Sequence, residues 1–213
     1  MIAFHNIVLQ VHGQTLLNAA TLHIQVGDKV VLRGPSGCGK RSLLKCAVGA
    51  MPIVSGTVQV DGLDLSAKTV MEIRSRIAFI GQEPILGATQ VSDALLLPFT
   101  YKSHRHLRPD KAIIETLLTG LHLTSDILAK PCAKISGGEK QRIAIARALL
   151  LNKTIFLADE ITSALDPVSR TAVMNELFRP EITLLSVSHD PEWIKRCTYT
   201  ANLADQKLEV EKR

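Results

Sequence analysis

The run Gly34-Pro35-Ser36-Gly37-Cys38-Gly39-Lys40 has the composition of a phosphate cradle. Its glycines let the backbone curl until successive N–H groups converge on phosphate oxygens. A helix starting just beyond adds its dipole, and Lys40 brings a charge to the β and γ phosphates. The next position breaks the pattern. A Ser or Thr there would lend a hydroxyl oxygen to magnesium, whereas this chain has Arg41, whose guanidinium has no lone pair to offer. A unit positive charge about 5 Å from Mg2+ is repelled by roughly 6–7 kcal/mol at an effective dielectric of about 20. Ser42 follows, but adjacent helical residues point about 100° apart, so it is not expected to inherit the ligand role. The loop is therefore expected to bind nucleotide with a weakened magnesium requirement and slow hydrolysis. The alternative is a loop adapted to arginine, with Gln82, Asp159 and water carrying the metal.

Two further constellations go with the loop. Thr154-Ile155-Phe156-Leu157-Ala158 is an apolar run that ends in Asp159-Glu160. Carboxylates at the carboxyl end of a parallel strand project into the crevice where ligands bind. Asp159 is suited to holding a metal, and Glu160 to polarising an attacking water. Ile135-Ser136-Gly137-Gly138-Glu139 precedes a helix. Two glycines and a serine hydroxyl at a helix start make a second anion site. One chain needs only one such site for its own nucleotide, so the economical reading is that this one grips a nucleotide held by another subunit.

The elements that must position these residues follow from hydrophobic periodicity. Phe4 to Val11 and Leu22 to Val26 alternate as strands, with turns at Gly13 and Gly27-Asp28. Lys29 to Arg33 is a buried parallel strand leading into the glycine loop, after which Leu43, Leu44, Ala47 and Val48 recur at helical spacing. Ile77 to Ile80, Thr154 to Ala158 and Ile182 to Val187 read as further strands, and Arg142 to Leu151 as a helix. Between them runs a helical stretch punctuated by Pro84, Pro98, Pro109 and Pro131. Strands alternating with helices imply a parallel α/β sheet with a helical insertion.

Composition narrows the class. The 213 residues, 46% hydrophobic and 21% charged, suit one core with lobes and exclude disorder. Four cysteines without CxxC spacing suggest neither zinc nor a disulfide framework, and a reducing cytosol is the default. Residues 1–27 lack Asp, Glu, Lys and Arg, yet polar residues interrupt every apolar stretch, so no signal or anchor is expected. The net charge of +5 arises in residues 101–150, with 9 basic against 4 acidic groups, and is read as a solvated surface. With one Trp and two Tyr there is little for bases to stack on, and no nucleic-acid partner is expected.

Taken together, the residues resemble the ATP-binding cassette (ABC) ATPases over nearly the whole chain. The phosphate loop, Gly81-Gln82-Glu83-Pro84 like the Q-loop, ISGGE like the signature, Asp159-Glu160, Ser163-Ala164-Leu165-Asp166 like the D-loop, and Ser188-His189-Asp190 like the switch histidine stand in family order. The resemblance implies a P-loop NTPase of the α/β class in a single domain spanning 1–213. It comprises a RecA-like parallel-sheet core (29–52, 66–82, 149–213), an N-terminal antiparallel β subdomain (1–28 and about 53–65) and an inserted α-helical subdomain (83–148). It implies ATP and Mg2+ as cofactors, with Gln82 and Asp159 toward the metal. Glu160, His189 and Gln82 take the catalytic roles; Gly34 to Ser42, His12 beside adenine, Ser136 to Glu139 and Asp166 bind nucleotide. Partners are a transmembrane permease and a second cassette, identical or not, in an ATP-dependent dimer at the inner face of the membrane. Glu139 and Ile161 stand where Gln and Pro are commoner. Several stretches are similar to the bacterial iron-export members; amino-acid and lipoprotein-releasing cassettes share most of them. Two rivals are a catalytically weak structural subunit, motivated by Arg41, and a chromosome machine, which the short spacing between Gly34 and Ser136 disfavours. The apolar stretch Pro84 to Phe99, Leu86 in particular, is expected to receive the permease.

Overall fold

The computed structural model describes residues 1–213. The chain opens with a hairpin of β1 (Ile2–Val11) and β2 (Gln14–Ile24), then β3 (Lys29–Arg33) and α1 (Lys40–Ala47). His12 and Gly13 form the hairpin turn with φ of 50° and 80°, the doubly left-handed pair that a two-residue turn needs to match strand twist. Next come β4 (Ser55–Val60), β5 (Leu63–Asp64), α2 (Val70–Arg76) and β6 (Ile77–Ile80). The insertion holds α3 (Val91–Leu96), α4 (Lys111–Gly120) and α5 (Gly137–Leu150). The chain closes with β7 (Ile155–Asp159), α6 (Pro167–Leu177), β8 (Thr183–Val187), α7 (Pro191–Arg196), β9 (Tyr199–Ala204) and β10 (Lys207–Lys212).

Two sheets result. One is antiparallel, in the order β2-β1-β4-β5; the other runs β10-β9-β3-β8-β7-β6, parallel except for the β9–β10 hairpin at one edge. Period-two alternation splits β3, β6, β7 and β8 between two cores. Val30, Leu32, Ile155, Leu157, Leu185 and Val187 belong to the core shared with α1 and the antiparallel sheet, whereas Val31, Phe156, Ala158 and Leu184 belong to the core shared with the insertion helices, α6 and α7. Both faces of the sheet are thus covered, which is why its strands read as continuous apolar runs.

The helix expected from Arg142 starts five residues earlier. Ser136 Oγ accepts from the Glu139 N–H at 3.2 Å while Glu139 Oε2 accepts from the Ser136 N–H at 2.7 Å. This reciprocal cap offsets two glycines that would otherwise discourage a helix. The basic excess of residues 101–150 is also not wholly solvated. The Arg142 guanidinium donates to the carbonyls of Leu121 (3.1 Å) and His122 (2.7 Å), and that of Arg147 to those of Ile85 and Leu86 (both 2.9 Å). Burial pulls Arg147 below the usual arginine range.

Candidate nucleotide site

β3 delivers the chain into the glycine loop. Gly34 has φ of 141°, and a Cβ there would lie 2.1 Å from the Leu203 carbonyl oxygen on β9, so only glycine fits. Gly39, at φ 103°, sits at the N-terminal boundary of α1 without a side-chain cap. The first N–H groups of α1 are thus left for a ligand rather than satisfied by a serine or aspartate. The arm of the β1–β2 hairpin packs here, with Leu16 Cβ 3.2 Å from where a Gly39 Cβ would stand. His12 is exposed at the hairpin tip.

Lys40 is buried, and its ammonium donates to the Gly34 (2.8 Å) and Pro35 (2.7 Å) carbonyls, with Cys38 Sγ at 3.8 Å. Cys38 is half-buried, whereas Cys46, Cys132 and Cys197 are buried. A cleft of about 360 Å³ is lined by Ser36, Gly37, Gly39, Lys40, Arg41, Ser42, Asp159, Glu160, Val187 and His189. It therefore unites residues from the loop, the end of β7 and the turn after β8. Ser42, which helical spacing set aside, lines the same cleft. Glu160 has φ of 50°, a conformation that a side chain larger than glycine rarely adopts and that is found at sites where strain serves function. Its N–H donates to the Val187 carbonyl at 2.9 Å, which ties the bend to β8.

Arg41 does not turn to solvent. Its Nε donates to Asp159 Oδ2, one Nη donates to Gln82 Oε1 at 2.5 Å, and the same nitrogen lies 3.5 Å from Glu160 Oε1. The hydrogen bond to Asp159, opposed in part by burial, raises Arg41 above the usual arginine range. Gln82 Nε2 also reaches Glu160 Oε2 at 3.5 Å. Magnesium does not fit this donor set. The residue after Lys40 brings a cation where an oxygen is needed, and the Asp159 and Gln82 oxygens assigned to the metal are taken by the guanidinium. Of Asp159, only Oδ1 is left, buried and without a partner.

The remaining motif residues lie elsewhere in the chain. Ser136 to Glu139 are absent from the cleft lining and cap α5, and hydrogen bonding from Ser136 holds the Glu139 carboxyl below the usual range. A Cβ on Gly138 would stand 3.1 Å from the Ala164 carbonyl oxygen, so this glycine is a close-approach point between α5 and the segment after Glu160. Asp166 caps α6, accepting from the Val168 and Ser169 N–H groups at 3.0 Å. Three residues that the motif reading missed do positioning work. Gln141, buried on α5, donates to the Gly81 carbonyl at 3.3 Å and steadies the segment carrying Gln82. Arg147 holds the chain at Ile85 and Leu86, and Arg170 pairs with Asp190 at 2.9 Å beside His189. A lone charged side chain within the Ala, Ile and Leu run of residues 143–150 is the one signal that marks Arg147; Gln141 stands among charged neighbours and has none.

The expected docking residue is corrected. Leu86 is 6% exposed and belongs to the core on the insertion side, whereas its neighbour Ile85 is 79% exposed. Ile85, Phe79, Pro84 and Pro98 line a groove of about 140 Å³ floored by Ala144, Arg147 and Ala148 of α5.

Comparison with known proteins agrees with this geometry. Residues 17–163 match the family described as "ABC transporter". The probable iron export ATP-binding protein FetA of Escherichia coli (strain K12) is 34% identical over 200 residues, covering 92% of this chain and 88% of that protein. The methionine import ATP-binding protein MetN of Legionella pneumophila (strain Lens) is 36% identical over 207 residues, 92% of this chain and 60% of that longer relative. A dimeric ATP-binding cassette in a post-hydrolysis state bound to ADP and Pi superposes with a TM-score of 0.85 at 26% identity, covering 100% of this chain and 98% of that one.

Proposed function

The chain belongs to the ABC transporter family of ATP-binding cassettes, and from that premise we propose that it is the ATP-hydrolysing subunit that drives a separate membrane-spanning partner. The observation that carries this reading is the cleft joining the glycine loop to Asp159, Glu160 and His189. The loop N–H groups and Lys40 hold the phosphates, with the ammonium moving from the Gly34 and Pro35 carbonyls onto phosphate oxygens. Glu160 takes a proton from water as its oxygen bonds to the γ-phosphorus and the bond to the β-bridging oxygen breaks. His189 donates to the γ-phosphate, and Gln82 orients the water. The magnesium implied by the resemblance enters no step, because Arg41 takes the oxygens that would hold it.

Signature residues that do not reach the chain's own loop suit a second cassette, identical or not, whose nucleotide they would cover. No helix is long and apolar enough to cross a membrane. The groove around exposed Ile85 suits a short segment of the membrane-spanning partner at the inner membrane face. The relatives name different cargoes, iron in one and methionine in the other; cargo choice is assigned to the partner, with iron export the closer match in length. The test is Glu160→Gln, expected to keep ATP binding and slow turnover by roughly 10² to 10⁴. Unchanged turnover overturns the role of Glu160, and failure of the unaltered chain to bind ATP overturns the whole reading.

A further inference from the structure

Arg41 joins three elements at one point: α1, which carries it, the end of β6 through Gln82, and the end of β7 through Asp159 and Glu160. The Asp159 side chain is 5% exposed, and a carboxylate so deeply placed is unfavourable without a positive partner. In this site the partner is covalently part of the chain. The guanidinium also has capacity in reserve. Of its five N–H donors, those on the second Nη make no hydrogen bond to protein, while the residue lines the nucleotide cleft and its side chain is 46% exposed. A planar fork with one edge on carboxylates and another open toward a phosphate-binding loop is suited to bridging the two.

We propose that the Arg41 guanidinium is the built-in cation of this site, neutralising Asp159 and Glu160 and contacting the nucleotide phosphates, so that the chain binds ATP without a divalent metal ion. The inference rests on the nucleotide reading above and extends it. A metal added to this site would meet an arginine that already fills the ligand oxygens, and would gain little.

The experiment titrates ATP carrying a fluorescent ribose label into the full chain, once with EDTA and once with excess MgCl2. For the unaltered chain the two affinities should agree within about threefold, whereas Arg41→Ser should bind at least about tenfold tighter with magnesium. Arg41→Gln, which keeps much of the side chain without its charge, should behave as Arg41→Ser does and serves if the serine variant does not fold. Tenfold tightening of the unaltered chain by magnesium overturns the inference while leaving the nucleotide reading intact. Equal indifference to magnesium in all three proteins also overturns it, because Arg41 would then not be the cause. Absence of binding by the unaltered chain in both buffers overturns the nucleotide reading itself.

Discussion

Ile85 and Leu86 are adjacent apolar residues with opposite environments, one 79% and the other 6% exposed. Composition cannot separate them, because the segment after Pro84 has no regular period; what separates them is Arg147, which holds both carbonyls and so sets which way each side chain faces. Leu86→Asp places a carboxylate in the core and should destabilise the fold by about 3 kcal/mol or more. Ile85→Asp should leave stability within about 0.5 kcal/mol, as exposed substitutions usually do, and weaken stimulation of the ATPase by the membrane partner. Thermal melts paired with ATPase assays in reconstituted membranes check both; a stable Leu86→Asp protein would contradict the burial described here. The Arg41 contacts were only half legible. The family resemblance sets residues 41, 82 and 159 around one metal position, but that the guanidinium itself occupies the Asp159 and Gln82 oxygens is seen only once the crossovers of the sheet bring the three together.

At the scale of elements, β3, β6, β7 and β8 were legible because strands buried on one or both faces of a parallel sheet read as short apolar runs ending at glycine or polar residues. The β9–β10 hairpin was not, since β10 is an edge strand whose residues, Lys207 to Lys212, are mostly charged and exposed. Ser136 and Glu139 were read for anion binding although their spacing also announces a capping box, and in the single chain it is the cap that the structure displays. Asp166 has the same double character. Hydrogen bonds from Ser169 and from neighbouring backbone hold its carboxyl down at about 2. A carboxyl depressed in the folded state adds stability above its unfolded value, which is lost as pH falls toward the folded one. The difference in melting temperature between the unaltered chain and Asp166→Ala should therefore be constant above about pH 5 and shrink as pH drops from near 4 toward 2. A difference that widens on acidification would reverse the assignment.

For the whole molecule, the phosphate loop and ISGGE lie in one chain without facing one cleft. Their order and composition were legible; that each is half of a site was an economy argument, while the single chain shows Ser136 only as the cap of α5. A protein with Ser136→Arg should bind ATP and fail to hydrolyse it, and so should lose turnover without losing its own loop. Mixed with Lys40→Ala, it should recover part of the activity, because one composite site then pairs an intact loop with an intact signature. ATPase assays across mixing ratios check this, and silence at every ratio counts against a shared site.

The placement of the four thiols gives the cradle its own reporter. Burial pushes Cys46 and Cys197 up to about 12, and Cys132 is also shielded, leaving Cys38 as the half-buried thiol in the loop. Since the thiolate is the reactive form and access controls its rate, a maleimide should alkylate position 38 first and the other three only as the fold opens. ATP lying across the loop should slow that first reaction, so mass spectrometry of the alkylated chain would follow occupancy of the cradle without any turnover. Labelling spread evenly over four sites would mean that the native packing had already been lost.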